Sequence, residues 1–184
     1  MPTGFAELVR DSCVQYGNFT LRSGKTSNWY FDKYQLLSSA SLRAHTAAHM
    51  AVDTEELLDG SDSLQAVAGP ELGGAILASR AADLFNLPAL FVRKGQKAYG
   101  TQHSVEGRIP DEPAGVVLVE DVVTTGGDVL SAAHALEEVG FQVVLILAVL
   151  DRGGGEKIRE HGYSFHALWT PGTLGLEGHS NDGD

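Results

Sequence analysis

Apolar and polar positions follow one another along this chain in two periodicities, which together predict its secondary structure. Near the N-terminus the apolar side chains recur at helical spacing, which predicts a helix over residues 4–16 that Gly17 ends. Two short strands are expected next, at 19–21 and 28–34, on either side of a polar turn. Further along, the pattern predicts helices over 41–58, 71–85, 127–139 and 154–161, and strands over 64–68, 88–92, 116–119, 143–150 and 163–168.

The order of these elements indicates the fold class. Strands and helices alternate, and the later strands are apolar on both faces, as in parallel sheets that helices cover on both sides. The sequence therefore predicts an α/β fold with a mainly parallel twisted sheet flanked by helices. Such sheets bind ligands beyond the carboxyl ends of their strands. The polar stretch 95–113 shows no periodicity, and a segment of this length in a compact domain is typically functional or disordered.

Length and composition fit one globular domain over residues 1–184, with a flexible polar tail at 178–184. Of the 184 residues, 43% are hydrophobic and 20% are charged, which is typical of globular rather than disordered chains. No apolar run approaches the roughly 20 residues that cross a bilayer, and the N-terminus does not resemble a secretory signal. We therefore expect a cytoplasmic protein. Cys13 is the single cysteine, so neither an internal disulfide nor a thiolate metal site is expected.

The chain is strongly acidic, with a formal net charge of -11 and a sequence pI near 4.9. An acidic protein repels nucleic-acid phosphates at long range, which argues against a general nucleic-acid binder. Any anionic ligand must then be held by local means, such as a few placed cations, backbone N–H groups or a metal ion.

The segment most suggestive of chemistry is VVLVEDVVTTGGD at 116–128. An apolar strand leads into two carboxylates at its end, Glu120 and Asp121, and then into a small-residue loop that starts a helix. Glycines let successive backbone N–H groups point at one anion, and the helix dipole favours that anion. The carboxylates cannot bind phosphate, but they can accept hydrogen bonds from the vicinal hydroxyls of a ribose. An ordinary capped turn would explain the loop but not the acidic pair before it.

This segment resembles the 5-phosphoribosyl-1-pyrophosphate (PRPP) signature of the type I phosphoribosyltransferases. Three more segments resemble the orotate phosphoribosyltransferases within that superfamily. They are FTLRSGKTSNWYFD at 19–32, AGPELGG at 68–74 and FVRKGQKAYG at 91–100, and the pair Asp151-Arg152 follows in the expected order. The likeness extends from about residue 5 to 170.

The resemblance implies a reaction and a set of roles. The chain would transfer ribose 5-phosphate from PRPP to orotate in UMP biosynthesis, with Mg²⁺ held mainly through the donor and water rather than by direct protein ligands. A small N-terminal hood, a mobile loop around 95–112 and a homodimer sharing loop residues across its interface are also implied. The implied catalytic residues are Lys97, Asp121 and Glu120. The implied donor-binding residues are Arg22, Arg93, Lys94, Lys97, Tyr99, Glu120, Asp121, Val122, Val123, Thr124, Thr125, Gly126, Gly127 and Asp128. The implied orotate-binding residues are Tyr30, Phe31, Thr124 and Arg152.

Two basic features favour an anionic substrate independently of the resemblance. Arg93, Lys94 and Lys97 are three of only thirteen Lys and Arg residues, and they cluster beside the long polar stretch. A solvated surface patch is the alternative for such a cluster. Arg152 follows an apolar strand, so its guanidinium can clamp a carboxylate near the signature loop, or else pair with Asp151 at a helix entry.

Some positions depart from the family pattern. Arg22 stands where many relatives carry Lys, and Leu72-Gly73 replaces the Tyr-Lys of many bacterial relatives, which removes one cation from the pyrophosphate side. Tyr99 stands where many relatives have a loop histidine, and His103 is a candidate substitute for it.

Two other functions remain open at this stage. A purine or uracil phosphoribosyltransferase would keep the signature without needing the Arg152 clamp or the 19–32 segment. A regulator that binds the donor without catalysis would keep the fold, and the missing cations at positions 73 and 99 favour it. Such regulators often carry a DNA-binding module or a basic face, for which the sequence offers no signal.

Overall fold

The computed structural model of the protein describes residues 3–20, 24, 26–58, 64–95, 104–109 and 112–176. The predicted tail at 178–184 and most of the predicted mobile loop lie outside these residues. Within them the helices are α1 (Thr3–Cys13), α2 (Lys33–Ser38), α3 (Ala40–Leu57), α4 (Gly73–Phe85), α5 (Gly127–Glu138) and α6 (Gly155–Glu160). The strands are β1 (Val14–Thr20), β2 (Thr26–Phe31), β3 (Leu64–Pro70), β4 (Ala89–Val92), β5 (Val105–Glu106), β6 (Ala114–Val123), β7 (Phe141–Asp151) and β8 (Phe165–Trp169).

The central sheet has six strands in the order β5-β4-β3-β6-β7-β8. Its neighbours pair in parallel, except that β5 runs antiparallel to β4 at one edge. Helices α4, α5 and α6 each connect two parallel strands, as parallel pairing requires, and α3 precedes the first of them. This confirms the predicted α/β fold with a mainly parallel sheet flanked by helices.

Alternating side chains of the central strands fill a separate core on each face of the sheet. Val117, Val119 and Leu147 point into the core that α1 to α4 cover. Val116 and Leu118 point into the core beneath α5 and α6. All five side chains are almost completely buried, and burying one such side chain contributes about 1.5–3 kcal/mol. The two cores hold the carboxyl ends of β3, β6 and β7 at one edge of the sheet, where Val123 pairs in register with Asp151.

The N-terminal segment differs from the sequence prediction. Helix α1 ends at Cys13 rather than at residue 16, and Gly17 lies inside a strand rather than at a helix end. Strands β1 and β2 form an antiparallel two-stranded sheet of their own. The residues after Cys13 fit helical spacing equally well, but pairing with β2 decides their conformation, which is the usual way that tertiary contacts override a local preference.

Helix α2 was missed, and the predicted strand at 28–34 was extended over its first two residues. The strand ends at Phe31, and the Asp32 carboxylate accepts the Tyr34 backbone N–H at 3.0 Å, which caps the new helix. This turn places Lys33 at the first position of α2.

In the described part of the chain, no helix is both long and apolar enough to cross a membrane.

Candidate active site

The acidic pair lies within strand β6, near its carboxyl end, rather than beyond the strand, because β6 continues to Val123. Asp121 is 4% exposed, and Glu120 is partly buried. One Asp121 oxygen accepts the Val122 backbone N–H at 2.7 Å, and Glu120 accepts the Asp121 N–H at 2.9 Å. These local bonds fix the direction of both carboxylates at the carboxyl edge of the sheet, where parallel sheets bind ligands.

Lys33 is part of this site, which the sequence did not reveal. Its Nζ lies 2.8 Å from the second oxygen, Oδ2, of Asp121. The Lys33 side chain is 33% exposed and the Asp121 side chain 6%, so the ion pair is half-buried. The only sequence signal was the position of Lys33 directly after the segment 19–32, and nothing in that position indicated which carboxylate it would reach.

Gly73 explains a departure from the family pattern. A Cβ atom built at Gly73 would lie 1.7 Å from Oδ2 of Asp121 and 2.6 Å from its Cγ. Any side chain at position 73, including the lysine of many relatives, would therefore collide with Asp121 as it is oriented here. Glycine at the start of α4 leaves the room that the Asp121 carboxylate occupies.

The charges in this cluster shift the proton affinities of its members. Burial, and then the neighbouring charge of Asp121, raise the pKa of Glu120 from 4.5 to about 8. Burial lowers the pKa of Lys33, but the hydrogen bond and charge of Asp121, with the charges of Glu120 and Tyr34, outweigh burial and raise it overall. The folded protein therefore keeps a proton on Glu120 that the unfolded chain releases. The associated stability is full below about pH 4.5 and is lost as the pH rises through about 8.

The loop after β6 has the form expected of a phosphate cradle. Gly126 has a φ of 75° and precedes α5 as its N-cap, and no side chain caps the helix there. The first backbone N–H groups of a helix lack intrahelical partners, so those of α5 can bind an anion. Thr124 and Thr125 are exposed beside them, with hydroxyls that can donate further hydrogen bonds.

The loop that joins β7 to α6 packs directly on this cradle. A Cβ atom at Gly154 would lie 2.6 Å from the Gly126 nitrogen and 2.9 Å from the Thr124 oxygen. Asp151 accepts the backbone N–H groups of 153, 154 and 155 at 2.9, 2.9 and 3.2 Å, and so closes the loop on itself. The sequence analysis gave Gly154 no role. The three consecutive glycines at 153–155 are the sequence signal for such close packing of two backbone segments.

Arg152 lies at the carboxyl edge of the sheet, as predicted. Its backbone N–H donates to the Val123 oxygen at 2.7 Å, which ties the end of β7 to the end of β6. Its guanidinium carbon lies 4.1 Å from the centroid of the Trp29 ring, a cation–π contact with strand β2. Trp29 was not among the predicted site residues, and only its place beside Tyr30 and Phe31 pointed to it.

The two predicted aromatic contacts to the base differ in their surroundings. Tyr30 is 39% exposed and lies 5.6 Å, centroid to centroid, from the Phe19 ring. Phe31 is 4% exposed and packs in the core under α1 to α4. Alternation along β2 turns Trp29 and Phe31 to one face and Tyr30 to the other, so the base contact of Phe31 stays a prediction and packing is its observed role.

Two of the predicted basic residues lie beside the phosphate cradle. Arg93 and Lys94 follow strand β4, and Lys94 Nζ lies 2.6 Å from an Asp128 carboxylate oxygen in the first turn of α5. Arg93 approaches Glu106 at 3.8 Å. Lys94 and Asp128 are both more than half exposed, so their ion pair is worth little in itself. Both cations line a cavity of about 370 Å³, together with Ser104, Asp128 and Ser131.

Three residues of the predicted site, Arg22, Lys97 and Tyr99, lie outside the described residues, as does His103, the candidate substitute for the loop histidine. Their roles stay predictions.

The chain is similar to known proteins both in sequence and in structure. Residues 40–168 match a family model described as the phosphoribosyl transferase domain. An orotate phosphoribosyltransferase of Pyrococcus horikoshii is 39% identical over 163 residues, which cover 88% of this chain and 86% of that protein. One from Halobacterium salinarum is 39% identical over 88% of this chain and 89% of its own. The crystal structure of Mycobacterium tuberculosis H37Rv orotate phosphoribosyltransferase in complex with PRPP matches with a TM-score of 0.73 at 28% identity, over 95% of this chain and 98% of that one.

Proposed function

This chain belongs to the family of orotate phosphoribosyltransferases, and from that premise we propose that it transfers ribose 5-phosphate from PRPP to orotate. The products are orotidine 5′-phosphate and pyrophosphate, and the reaction serves UMP biosynthesis. The observation that carries the proposal is the meeting of three elements at one sheet edge: the acidic pair of β6, the cradle before α5, and Arg152 at the end of β7.

The donor fits these elements from its phosphate to its sugar. The backbone N–H groups at the start of α5, with Thr124 and Thr125, would hold the 5′-phosphate. Glu120 and Asp121, a few residues earlier in the chain, would accept hydrogen bonds from the ribose hydroxyls. A single strand–loop–helix unit would thus hold both the sugar and the phosphate, and the acidic pair is what separates it from loops that bind phosphate alone.

The base would lie on the Arg152 side of the sugar. Orotate carries a ring carboxylate, and a guanidinium can hold a carboxylate in two parallel hydrogen bonds. Trp29 lies against the Arg152 guanidinium and so limits its orientations. A purine or uracil would offer this guanidinium no carboxylate, so Arg152 favours orotate over those bases.

The pyrophosphate would leave toward Arg93 and Lys94, which line the cavity beside the cradle. Lys94 is paired with Asp128 here, and a surface pair of this kind can open at little cost when a stronger anion arrives. Lys97, which follows them in the sequence, is proposed to offset charge on the departing oxygens.

Magnesium is the cofactor that the family implies, and the residues present fit it. In the described residues no three His, Cys, Asp or Glu side chains converge as a metal-binding group. Mg²⁺ is commonly bound through one or two carboxylates together with substrate phosphates and water. Glu120 and Asp121 offer hard oxygen atoms of this kind, so we propose that the ion is held mainly through the donor and water. When bound, it neutralises charge on the pyrophosphate.

The reaction itself needs no nucleophilic side chain. The bond from ribose C1 to the pyrophosphate oxygen breaks, and positive charge builds on the sugar ring, as in glycoside cleavage. The orotate ring nitrogen then forms its bond to C1, and its proton leaves with the pyrophosphate. The Glu120 and Asp121 side chains would both orient the ring through its hydroxyls, and the Asp121 carboxylate would stabilise that positive charge. Water must be excluded because it would compete with orotate for the activated sugar.

We also propose a homodimer, as the family implies, with its interface at a groove on the surface next to the site. The groove has a volume of about 520 Å³, and its lining includes the exposed side chains of Leu72 and Phe91. Leu72 is 58% exposed and adjoins Gly73 of the acidic cluster, so an interface there would lie beside the site. The mass in solution would test it: a dimer that Leu72→Asp weakens is expected, and a monomeric parent would refute it.

The activity is tested by a panel of bases. The protein is incubated with PRPP, Mg²⁺ and, separately, orotate, uracil, adenine, hypoxanthine or guanine, and pyrophosphate release is measured. We expect release with orotate alone. Release with another base in place of orotate would move the chain to a different phosphoribosyltransferase activity, and donor binding with no release for any base would support a regulator.

A further inference from the structure

Lys33 is held more firmly than an ordinary surface lysine. It is the first residue of α2, directly after the Asp32 cap, and strand β2 ends two residues earlier at Phe31. The cap fixes the backbone on one side of Lys33, and pairing of β2 with β1 fixes it on the other. Its ammonium also lies 5.7 Å from the centroid of the Tyr34 ring. The side chain therefore reaches Asp121 from a constrained starting point.

Three neighbouring residues enclose the Asp121 carboxylate. Val122 donates to Oδ1 at 2.7 Å, Lys33 approaches Oδ2 at 2.8 Å, and Gly73 packs so closely that no Cβ fits there. Without Lys33, a carboxylate that is 4% exposed would keep its charge with little compensation from water. It would then turn away from its present direction.

The donor makes this compensation more important. PRPP carries a phosphate and a pyrophosphate, and it must approach the Asp121 carboxylate in a chain whose net charge is -11. The charged or titratable groups that act on Lys33 are Asp121, Glu120 and Tyr34. One resident ammonium in this group reduces the repulsion that the donor meets.

We propose that Lys33 is a positioning residue of the donor site: it holds Asp121 as an oriented carboxylate for the ribose hydroxyls and offsets the negative charge that Asp121 presents to PRPP. This inference rests on the proposed function, because it takes PRPP as the donor. It assigns to the N-terminal hairpin and α2 a part in sugar binding, in addition to any contact with the base.

The test compares Lys33→Met, which keeps the length of the side chain without its charge, with Lys33→Arg, which keeps the charge. Calorimetry with PRPP and Mg²⁺, without any base, measures donor affinity directly. Loss of a half-buried ion pair should weaken donor binding by about tenfold in Lys33→Met, with kcat changed by less than about threefold. Lys33→Arg should recover most of the affinity. Lys157→Met, at an exposed lysine in α6, serves as the matched control and should bind PRPP like the parent.

The split between the two kinetic constants separates this role from a merely structural one. KM for PRPP should rise in Lys33→Met with kcat nearly unchanged, and Lys33→Arg should bring KM back toward that of the parent. Unchanged donor affinity in Lys33→Met, an arginine variant no better than the methionine variant, or a loss confined to kcat would each overturn the inference. If the parent binds PRPP but does not transfer its ribose 5-phosphate to orotate, the proposed activity is wrong, while the comparison of donor affinities at Lys33 still stands.

Discussion

Substitution of Gly73 by alanine perturbs the site by one methyl group whose surroundings the structure defines. The new Cβ would lie 1.7 Å from Oδ2 of Asp121, whereas ordinary contact begins at 3.4 Å, so the oxygen must retreat by about 1.7 Å. The neighbour is a side chain rather than backbone, so the carboxylate should turn and the fold should survive. Lys33 must follow the carboxylate or lose its ion pair.

The size of the effect follows from what the carboxylate loses. Overpacking of this kind costs about 1–3 kcal/mol, which for a chain of this length lowers Tm by roughly 2–12 °C. A displaced carboxylate also forfeits a charge-assisted hydrogen bond to the ribose, worth about 1.5–3 kcal/mol. Donor affinity should then fall by about 10- to 150-fold.

The assay is calorimetric titration with PRPP and Mg²⁺, with thermal unfolding of the same samples. Gly4→Ala is the matched control, because it adds the same methyl group near the start of α1, where nothing lies within 4 Å of the new atom. It should leave donor affinity unchanged and Tm equal or slightly higher. If Gly73→Ala binds PRPP as tightly as Gly4→Ala, the close approach of Gly73 and Asp121 is not a feature of the donor site.

Three further predictions concern other parts of the site. Trp29→Leu should raise KM for orotate by about 3- to 10-fold, because it removes the cation–π contact with Arg152, and it should leave KM for PRPP unchanged. Trp29→Phe should keep most of the affinity for orotate. Equal KM values for orotate in Trp29→Leu and the parent would contradict this prediction. Burial raises the pKa of Glu120 to about 8, so the parent should lose stability relative to Glu120→Gln as the pH rises from 5.5 to 9. The measurement is the urea midpoint of each protein at each pH, and a difference in midpoint that does not change with pH would exclude the raised pKa. Lys97→Ala should lower kcat about 100-fold or more with little change in PRPP affinity, and equal turnover would exclude a catalytic role for Lys97.

Much of the fold follows from local patterns in the sequence. Strands β3, β4 and β7 stand within three residues of their predicted bounds, because buried parallel strands are continuous apolar runs that end at polar residues. Strand β6 was predicted too short, since Glu120 and Asp121 were taken to end it. The pairing of Val122 and Val123 with β7 extends the strand through the acidic pair.

The candidate site was predictable where its residues adjoin in sequence, as they do from Glu120 to Asp128. It was not predictable where it depends on contacts between distant parts of the chain. Lys33 and Asp121 meet only because the hairpin and α2 fold over the sheet edge, and Trp29 meets Arg152 for the same reason. Local patterns in the sequence do not predict such contacts between distant segments. The clash at Gly73 likewise appears only when β3, α4 and β6 are packed together.

The stoichiometry of a single reaction mixture shows whether the chain joins the ribose 5-phosphate of PRPP to orotate. The parent protein is mixed with PRPP, Mg²⁺ and orotate, and the amounts of orotidine 5′-phosphate, identified by its mass, and of pyrophosphate are measured over time. We expect one orotidine 5′-phosphate for each pyrophosphate, with no release when orotate is left out. Pyrophosphate released without orotidine 5′-phosphate, or no product at all from a protein that binds both ligands, would refute this activity.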